Sequence, residues 1–547
     1  MLLDAFQRED GQDISTDICI VGAGAAGITI ALKLAEAGVA VVLLESGGLN
    51  EENDTQALYQ GQVVDEKLHS PVDKYRQRRF GGSTTIWGGR CMPFDPIDFE
   101  KRDYIAESGW PINYQDVAQY YPEASKLCEI GEPNFKINNA QENAPNIIKG
   151  FSSDIISTQS IEKFSCPTNF AQRYGHRLES NANVTVILHS NCTAIELTED
   201  GKSVSYLQVK TLKNTSFKVS AKKFIIAMGG LETPRLLLAS CSVNKAGVGN
   251  EHDVVGRYYM CHMAGNIGEV KLNGSVHEVY HNYFLSPDGI YSRRRLSLYE
   301  DIQKEQKIGN MIARLHFPRI SDPIHKIGVL SSLYIVKNLI SYEYGKRLND
   351  GSIKPLEYIK HLFNIITDPV DITKFLIHWI TKRTFAARKF PSIILSNRNN
   401  LFSFDVHGEQ EPNVNSRVSL IDATDPLGMP QIKVDWHYTK NDILTVKRTL
   451  DIFAAEFERK NIGTVYYDES KIEEELLRFG AYGGHHIGTA RMGNDVKNSV
   501  VDANCKVHGV SNLFIAGSSV FPTSSQANPT LTIVAMSLRL ADHLLTI

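Results

Sequence analysis

The chain has 547 residues, 42% hydrophobic and 22% charged, with a formal net charge of −4. Such a length exceeds one ordinary core and implies two or three domains, or one large α/β domain with insertions. The charge carries no block of one sign, which argues against nucleic acid as a partner; the eight scattered cysteines form no Cys-x-x-Cys pair or metal-ligand spacing, so they read as reduced thiols and no metal is expected.

The N-terminal MLLDAFQREDGQD lacks the basic-then-apolar order of a signal peptide. No apolar run reaches the roughly 18 residues of a spanning helix. A cytoplasmic location is therefore expected.

The first legible element is DICIVGAGAAGITIALKLAEAGVAVVLLESGG, Asp17 to Gly48. Ile18, Ile20 and Val21 read as a strand, and Gly22, Gly24 and Gly27 form Gly-x-Gly-x-x-Gly before an amphipathic helix that ends near Gly38. A second strand, Val39 to Leu44, ends at Glu45. Strand, glycine turn, helix and terminal acid together mark a dinucleotide cradle. A pyrophosphate would sit on the helix N-terminus, where unpaired N–H groups and the dipole favour an anion. Gly22, Ala23, Gly24, Ala26 and Gly27 are cofactor candidates, with Glu45 and Ser46 at the ribose end. An acid at this position is compatible with NAD and with FAD, so this motif leaves the cofactor open.

Next comes a Gly-rich loop, RRFGGSTTIWGGRCMPFD (Arg78 to Asp95), in which Gly81, Gly82, Ser83, Trp87 and Gly88 are further candidates. AKKFIIAMGGLETPRLLLAS (Ala221 to Ser240) reads as strand, glycine turn and helix, with Ala227 at the strand end. From about 260 to 480 the nucleotide signal fades. GNIGEVKL and SRVSLI alternate as strands of an antiparallel sheet would. The stretch 325–398 is rich in Lys, Arg and aromatics at helical spacing. It reads as solvated helices capping a substrate domain; peripheral membrane contact, or docking of a polyanionic or lipid-linked substrate, are the sharper alternatives. GGHHIGTARMG follows, and then VSNLFIAGSSVFPTSSQANPTLTIVAMSLRLADHLL, a strand, a Gly-Ser turn and a terminal helix. Gly517, Ser518, Asn528, Pro529 and Thr530 are cofactor candidates there. Asn528 and Pro529 suit the N-cap and first helical position, and Leu531, Val534, Ala535 and Leu538 form one apolar stripe.

These segments, taken in order with SGWP (Ser108 to Pro111), resemble the glucose-methanol-choline (GMC) family of FAD-dependent oxidoreductases, over about half the chain. The branch closest in look is that of pyranose 2-oxidase and the sugar dehydrogenases. The resemblance implies an α/β fold with a discontinuous Rossmann-like FAD-binding domain (1–95, 166–258 and 486–547). It also implies an α+β substrate domain on an antiparallel sheet (96–165 and 259–485). The terminal helix would direct its N-terminus at the flavin N1–C2 edge, where negative charge develops on reduction. The family pattern His-x-x-Gly-Thr-x-x-Met-Gly places the catalytic histidine at His485, with His486 beside it as a weaker substrate-site candidate. The family's second catalytic position, His or Asn, falls on Asn528. Gln410, in GEQEPNVNSRVSL, resembles a segment near the substrate. Some relatives carry FAD covalently on a histidine just before the loop tryptophan; this chain has Ile86 there, so non-covalent FAD is expected.

The chemistry implied is oxidation of CH–OH to C=O on a sugar-like alcohol. An imidazole, with an ordinary pKa near 6.5, can take the hydroxyl proton. An amide N–H can hold the oxygen, and the hydride passes to flavin N5. The acceptor that reoxidises the flavin stays open among oxygen, a quinone and a cytochrome. The alternative is a flavin-dependent lyase or isomerase without net redox turnover. A non-catalytic flavin module is disfavoured by the pairing of His485 with Asn528.

Overall fold

The structure, a computed structural model, describes residues 1–137, 146–339, 355–392, 399–481 and 484–547. Two sheets organise it. The first has eight strands, and its centre runs Leu2–Asp4, Val184–Leu188, Val41–Leu44, Ile14–Val21 and Ser216–Ile226, all parallel. Leu513–Ile515 adds in parallel to Ser216–Ile226, while Val204–Lys210 and Asn191–Leu197 extend the sheet antiparallel. Ile18–Val21 and Val41–Leu44 are buried throughout, as continuous apolar strands covered on both faces must be. The helix Ala25–Glu36 packs against the terminal helix Thr530–Thr546 over one face. Leu531, Val534, Ala535 and Leu538 of the expected stripe are all buried there.

Register decides what this sheet presents. Val21 pairs with Leu44, Ile226 with Val21, and Ile226 with Ile515. Four strand ends therefore finish level, and Gly22, Glu45, Ala227 and Gly517 emerge along one edge. This is the carboxyl edge at which open α/β sheets bind ligands. Gly22 has φ +103°, a left-handed turn suited to glycine. A Cβ on Gly27 would overlap the Gly22 carbonyl oxygen, so only glycine lets this helix start so close to its strand.

The second sheet has six strands in the order Gly463–Tyr466, His262–Leu272, Leu401–Glu409, Met311–His316, Leu296–Leu298 and Ile156–Ser157, with antiparallel pairings. Phe402 and Phe404 pack beneath it against Phe453 and Phe457 of the helix Lys440–Arg459. GNIGEVKL lies in this sheet as its alternation predicts. SRVSLI does not: Arg417–Thr424 pairs with Pro430–Asp435, which pairs in parallel with Gly61–Val63, a separate three-stranded sheet. Alternation identifies a strand but not the sheet it joins.

The expected boundary at 95/96 also shifts. Phe99, Trp110, Ile112 and Tyr121 pack in the core of the first sheet. The same segment reaches across through Arg102, which donates two bonds, 2.8 and 2.5 Å, to the Glu409 carboxylate at the end of a second-sheet strand.

Glu232, in the helix Gly229–Ala239, ties that helix to two further parts of the chain. Its buried carboxylate accepts from Arg76 (3.0 Å), Arg78 (2.6 Å) and Arg235 (3.2 Å), and Arg235 also holds Asp425 (2.8 Å). Burial alone would raise its pKa, but Arg78, Arg235 and Arg76 outweigh burial and bring it down to about 2. Glu232→Gln leaves buried guanidinium groups without their counter-charge and is expected to cost about 3–5 kcal/mol, read as a lower melting temperature at neutral pH. Because the folded pKa is depressed, this stabilisation is complete above the ordinary value near 4.5 and fades as pH falls toward about 2. The gap between wild type and variant should narrow over that window. Equal melting of the two at neutral pH would exclude the cluster as a structural tie.

Candidate active site

A cavity of about 780 Å³ opens along the carboxyl edge of the first sheet and runs under the second, within the range of ligand pockets. Its inner wall gathers Gly22, Ala23, Gly24, Ala26, Glu45 and Ser46 from the first turn. Gly82, Ser83, Ile86, Trp87 and Gly88 come from the Gly-rich loop, and Ala227 from the third strand end. Gly517, Ser518, Asn528, Pro529 and Thr530 come from the C-terminal segment. Segments hundreds of residues apart in sequence thus meet in one place.

Two of the cofactor candidates act from behind the wall. Gly27 lies under the turn, and Gly81, at φ +93°, donates its N–H to Ala23 O at 2.9 Å, clipping the loop to the turn. Trp87 is anchored by its indole N–H on Thr168 O at 2.9 Å. Glu45 accepts from the N–H of Ala23 (2.9 Å) and of Gly47 (3.0 Å), so its carboxylate braces the turn as well as facing the cavity.

The cradle suits a dinucleotide. Gly24 precedes the helix Ala25–Glu36 at its N-terminus, and a Cβ built on Gly24 meets no protein atom. The same is true of Gly517. Open space at a helix N-terminus, above a turn whose other glycines are packed, is what close approach of a pyrophosphate requires. Among the described residues, Asn528 Oδ1 and His486 Nε2, buried at the cavity wall, have no hydrogen-bond partner.

His485 and His486 diverge. His485 Nε2 lies 3.1 Å from Asn528 Nδ2, and His485 Nδ1 lies 3.1 Å from His262 Nδ1. The protons on this chain follow from its far end. His262 Nε2 is 3.1 Å from Ala527 O, which can only accept, so Nε2 carries the proton. Burial, outweighing the backbone carbonyls of Ala527 and Ser524, holds the His262 pKa down at about 4, so the ring is neutral, and with its proton on Nε2 the Nδ1 can accept. His485 must then donate from Nδ1, which leaves its Nε2 with a lone pair toward the Asn528 amide. His407 stacks on His262 with centroids 4.4 Å apart and donates from Nδ1 to Gln526 O at 2.7 Å.

His486 faces another way. Its Nδ1 is 2.6 Å from the Tyr259 hydroxyl, which is 2.7 Å from His69 Nε2. Burial first, then Arg76, His69 and His485, hold its pKa well below the ordinary value, so it too is neutral. His262, His407, His69 and Tyr259 carry no sequence signal. His262 and His407 meet through strand pairing, with Ala264 opposite His407, whereas His69 and Tyr259 come from outside the strands.

Two expectations are corrected here. The Asn528 side chain does not cap the terminal helix; Pro529 stands at the N-cap position without a side-chain bond, and the Asn528 amide turns to His485. Gln410 does not line the cavity. It is fully buried, accepting from Cys261 N (2.7 Å) and Trp436 Nε1 (2.9 Å) and donating to His437 O (2.9 Å). Gly483, in the histidine motif, lies outside the described residues.

The model of the GMC oxidoreductase family matches residues 412–537, the stretch that carries His485 and Asn528. Over that stretch the chain is similar to the GMC oxidoreductases. A second model, pyridine nucleotide-disulphide oxidoreductase, matches residues 16–260. The chain is 24% identical to 2-methyl-1,2-propanediol dehydrogenase of Mycolicibacterium austroafricanum, over 97% of its own length and 95% of that protein's. It is 23% identical to the fructose dehydrogenase large subunit of Gluconobacter japonicus, over 98% of both chains. Its fold matches that of an FAD-dependent oxidoreductase from Chaetomium thermophilum, with TM-score 0.54 and 17% identity over 97% of this chain and 99% of that one. FAD is the cofactor these matches support.

The glycines separate cradle from scaffold. Gly24→Val adds side chain only to open space, and is expected to leave the protein folded while FAD is lost on gel filtration. Gly27→Val collides with backbone and should lower the melting temperature itself. Retention of full flavin absorbance by Gly24→Val would disprove close approach at that turn.

Proposed function

We propose that the protein oxidises an alcohol CH–OH to a carbonyl on a small polyhydroxylated substrate, with His485 as the base. The observation that carries this reading is the hydrogen-bonded chain Ala527–His262–His485–Asn528, which leaves a lone pair on His485 Nε2 beside an amide donor at the cavity wall. Bound FAD supplies the hydride acceptor. A substrate hydroxyl between the two groups donates to His485 Nε2, while its oxygen accepts from the Asn528 amide. The base takes the proton, and the amide stabilises negative charge on the oxygen as the proton leaves.

His262 positions His485 rather than touching substrate. A neutral ring is needed there, because a protonated His262 would repel the imidazolium that His485 becomes. Burial meets that need by holding His262 at about 4. A polyhydroxylated substrate fits the polar outer part of the cavity, where Arg293, Asp405 and His316 line the wall. The diol and sugar named in two full-length relatives are in line with it.

Anaerobic titration of the purified flavoprotein with sugars and diols should bleach its flavin band. His485→Ala should slow that reduction about 10²–10⁴-fold with flavin content unchanged. His486→Ala should lose less. An unimpaired His485→Ala enzyme would end the mechanism. An enzyme whose flavin no alcohol reduces would turn the assignment toward a lyase or isomerase.

The positioning role has its own signature. His262→Phe keeps a ring of similar size but removes the acceptor for His485 Nδ1–H. A fall in kcat with KM little changed is expected. A wild-type kcat in this variant would show that His262 only fills space.

A further inference from the structure

The helix Pro355–Thr367 is built inside out. Its buried side chains are His361 and Asn364, both polar. His361 bonds Ser331 Oγ (2.9 Å) and Ser321 O (3.1 Å), and Asn364 donates to Pro323 O (2.8 Å) and Ser331 Oγ (3.2 Å). Leu356, Ile359, Phe363 and Ile366 form the opposite stripe and stand 63%, 62%, 65% and 75% exposed. The next helix, Pro369–Trp379, has no fully buried residue, and its Val370, Leu376 and Ile377 are exposed as well, followed by Ile380 and Phe385. A water-facing helix shows the reverse division of faces. So broad an apolar surface on a folded protein marks an interaction site.

The charge around it selects the occupant. Between residues 325 and 398 there are twelve Lys and Arg against five Asp and Glu, a net +7 in a chain of net −4. Residues 340–354 and 393–398 of that stretch lie outside the described residues; the described ones carry eight Lys and Arg against three Asp and Glu, and of these Lys360, Lys374 and Lys382 are exposed. A second copy seated here by twofold symmetry would bring this positive stretch against itself. Anionic lipid headgroups complement it, and an amphipathic helix with basic flanks lies in the headgroup boundary with its apolar side about 5–10 Å deep. Among the described residues no helix is long and apolar enough to cross a membrane, so the surface can be lain upon and not spanned. Leu376 and Trp379 also line the outer end of the active-site cavity, with Leu376 half exposed, so the cavity mouth is at this face.

We propose that residues 355–385 seat the enzyme on an anionic bilayer surface, with the cavity mouth at the lipid. The test is flotation of the holoenzyme with vesicles of phosphatidylcholine alone or of phosphatidylcholine with phosphatidylglycerol. Wild type should float with the anionic vesicles, less so as salt screens the basic groups. Phe363→Asp/Ile366→Asp, which touches neither cavity nor cradle, should bind about tenfold or more weakly with its flavin spectrum and circular dichroism unchanged. Val496→Asp, an exposed apolar position outside this face, should bind as wild type does. Wild type that stays unfloated with anionic vesicles at low salt overturns the proposal. So does a wild-type dimer in sedimentation that the double variant converts to monomer, which would make this face a contact between copies.

Discussion

The constraint on which everything else rests is the level ending of four parallel strands. Val21, Leu44, Ile226 and Ile515 stand side by side through ladder hydrogen bonds. A slip of one residue would turn every side chain of a strand to the opposite face, and would move the following turn out of line by a residue's rise. The continuous burial of Ile18–Val21 and Val41–Leu44 pins that register. From it follow the glycine turn, the acid that braces it and the C-terminal segment that brings Asn528 to His485.

The parts of the site legible in the sequence were those whose physical cause is local. The first turn needs a left-handed residue at Gly22 and no Cβ at Gly27, and both demands are written within a few residues. The terminal helix shows its buried stripe for the same reason. What failed was direction. Asn528 suits a cap by type, yet its amide has one orientation, and the tertiary partner His485 claims it. Gln410 lies in a segment of the expected kind, but the buried N–H groups of Cys261 and Trp436 need its oxygen. His262 and His407 were invisible because they meet only through the pairing of two strands far apart in sequence.

The capping helices show the same limit in another form. Period alone revealed that 355–367 is amphipathic. It could not tell that the polar side turns inward, because that depends on whether Ser331 and the carbonyls of Ser321 and Pro323 wait beneath it. The usual inference, apolar side in, assumes water on the outside. Here hydrogen bonds fix the inner face, so burial of the apolar stripe is left for whatever lies beyond the protein.

Electrostatics divides the cavity along its length. At the inner end burial keeps histidines uncharged: His262 falls to about 4, and His407 and His486 are held well below their ordinary value. A proton can then arrive on His485 without meeting a neighbouring cation. Farther out, charge is tolerated because it is paired. Glu162 is fully buried, and burial would raise its pKa, but Arg314, Arg90 and Arg293 bring it to about 2, while Arg314 also holds Asp405 at 2.8 Å. These groups stay ionised because each has an opposite charge at bonding distance, whereas the neutral histidines have only dipoles. A site that must accept a proton and also hold a polar substrate needs both environments, and the two sheets supply them side by side.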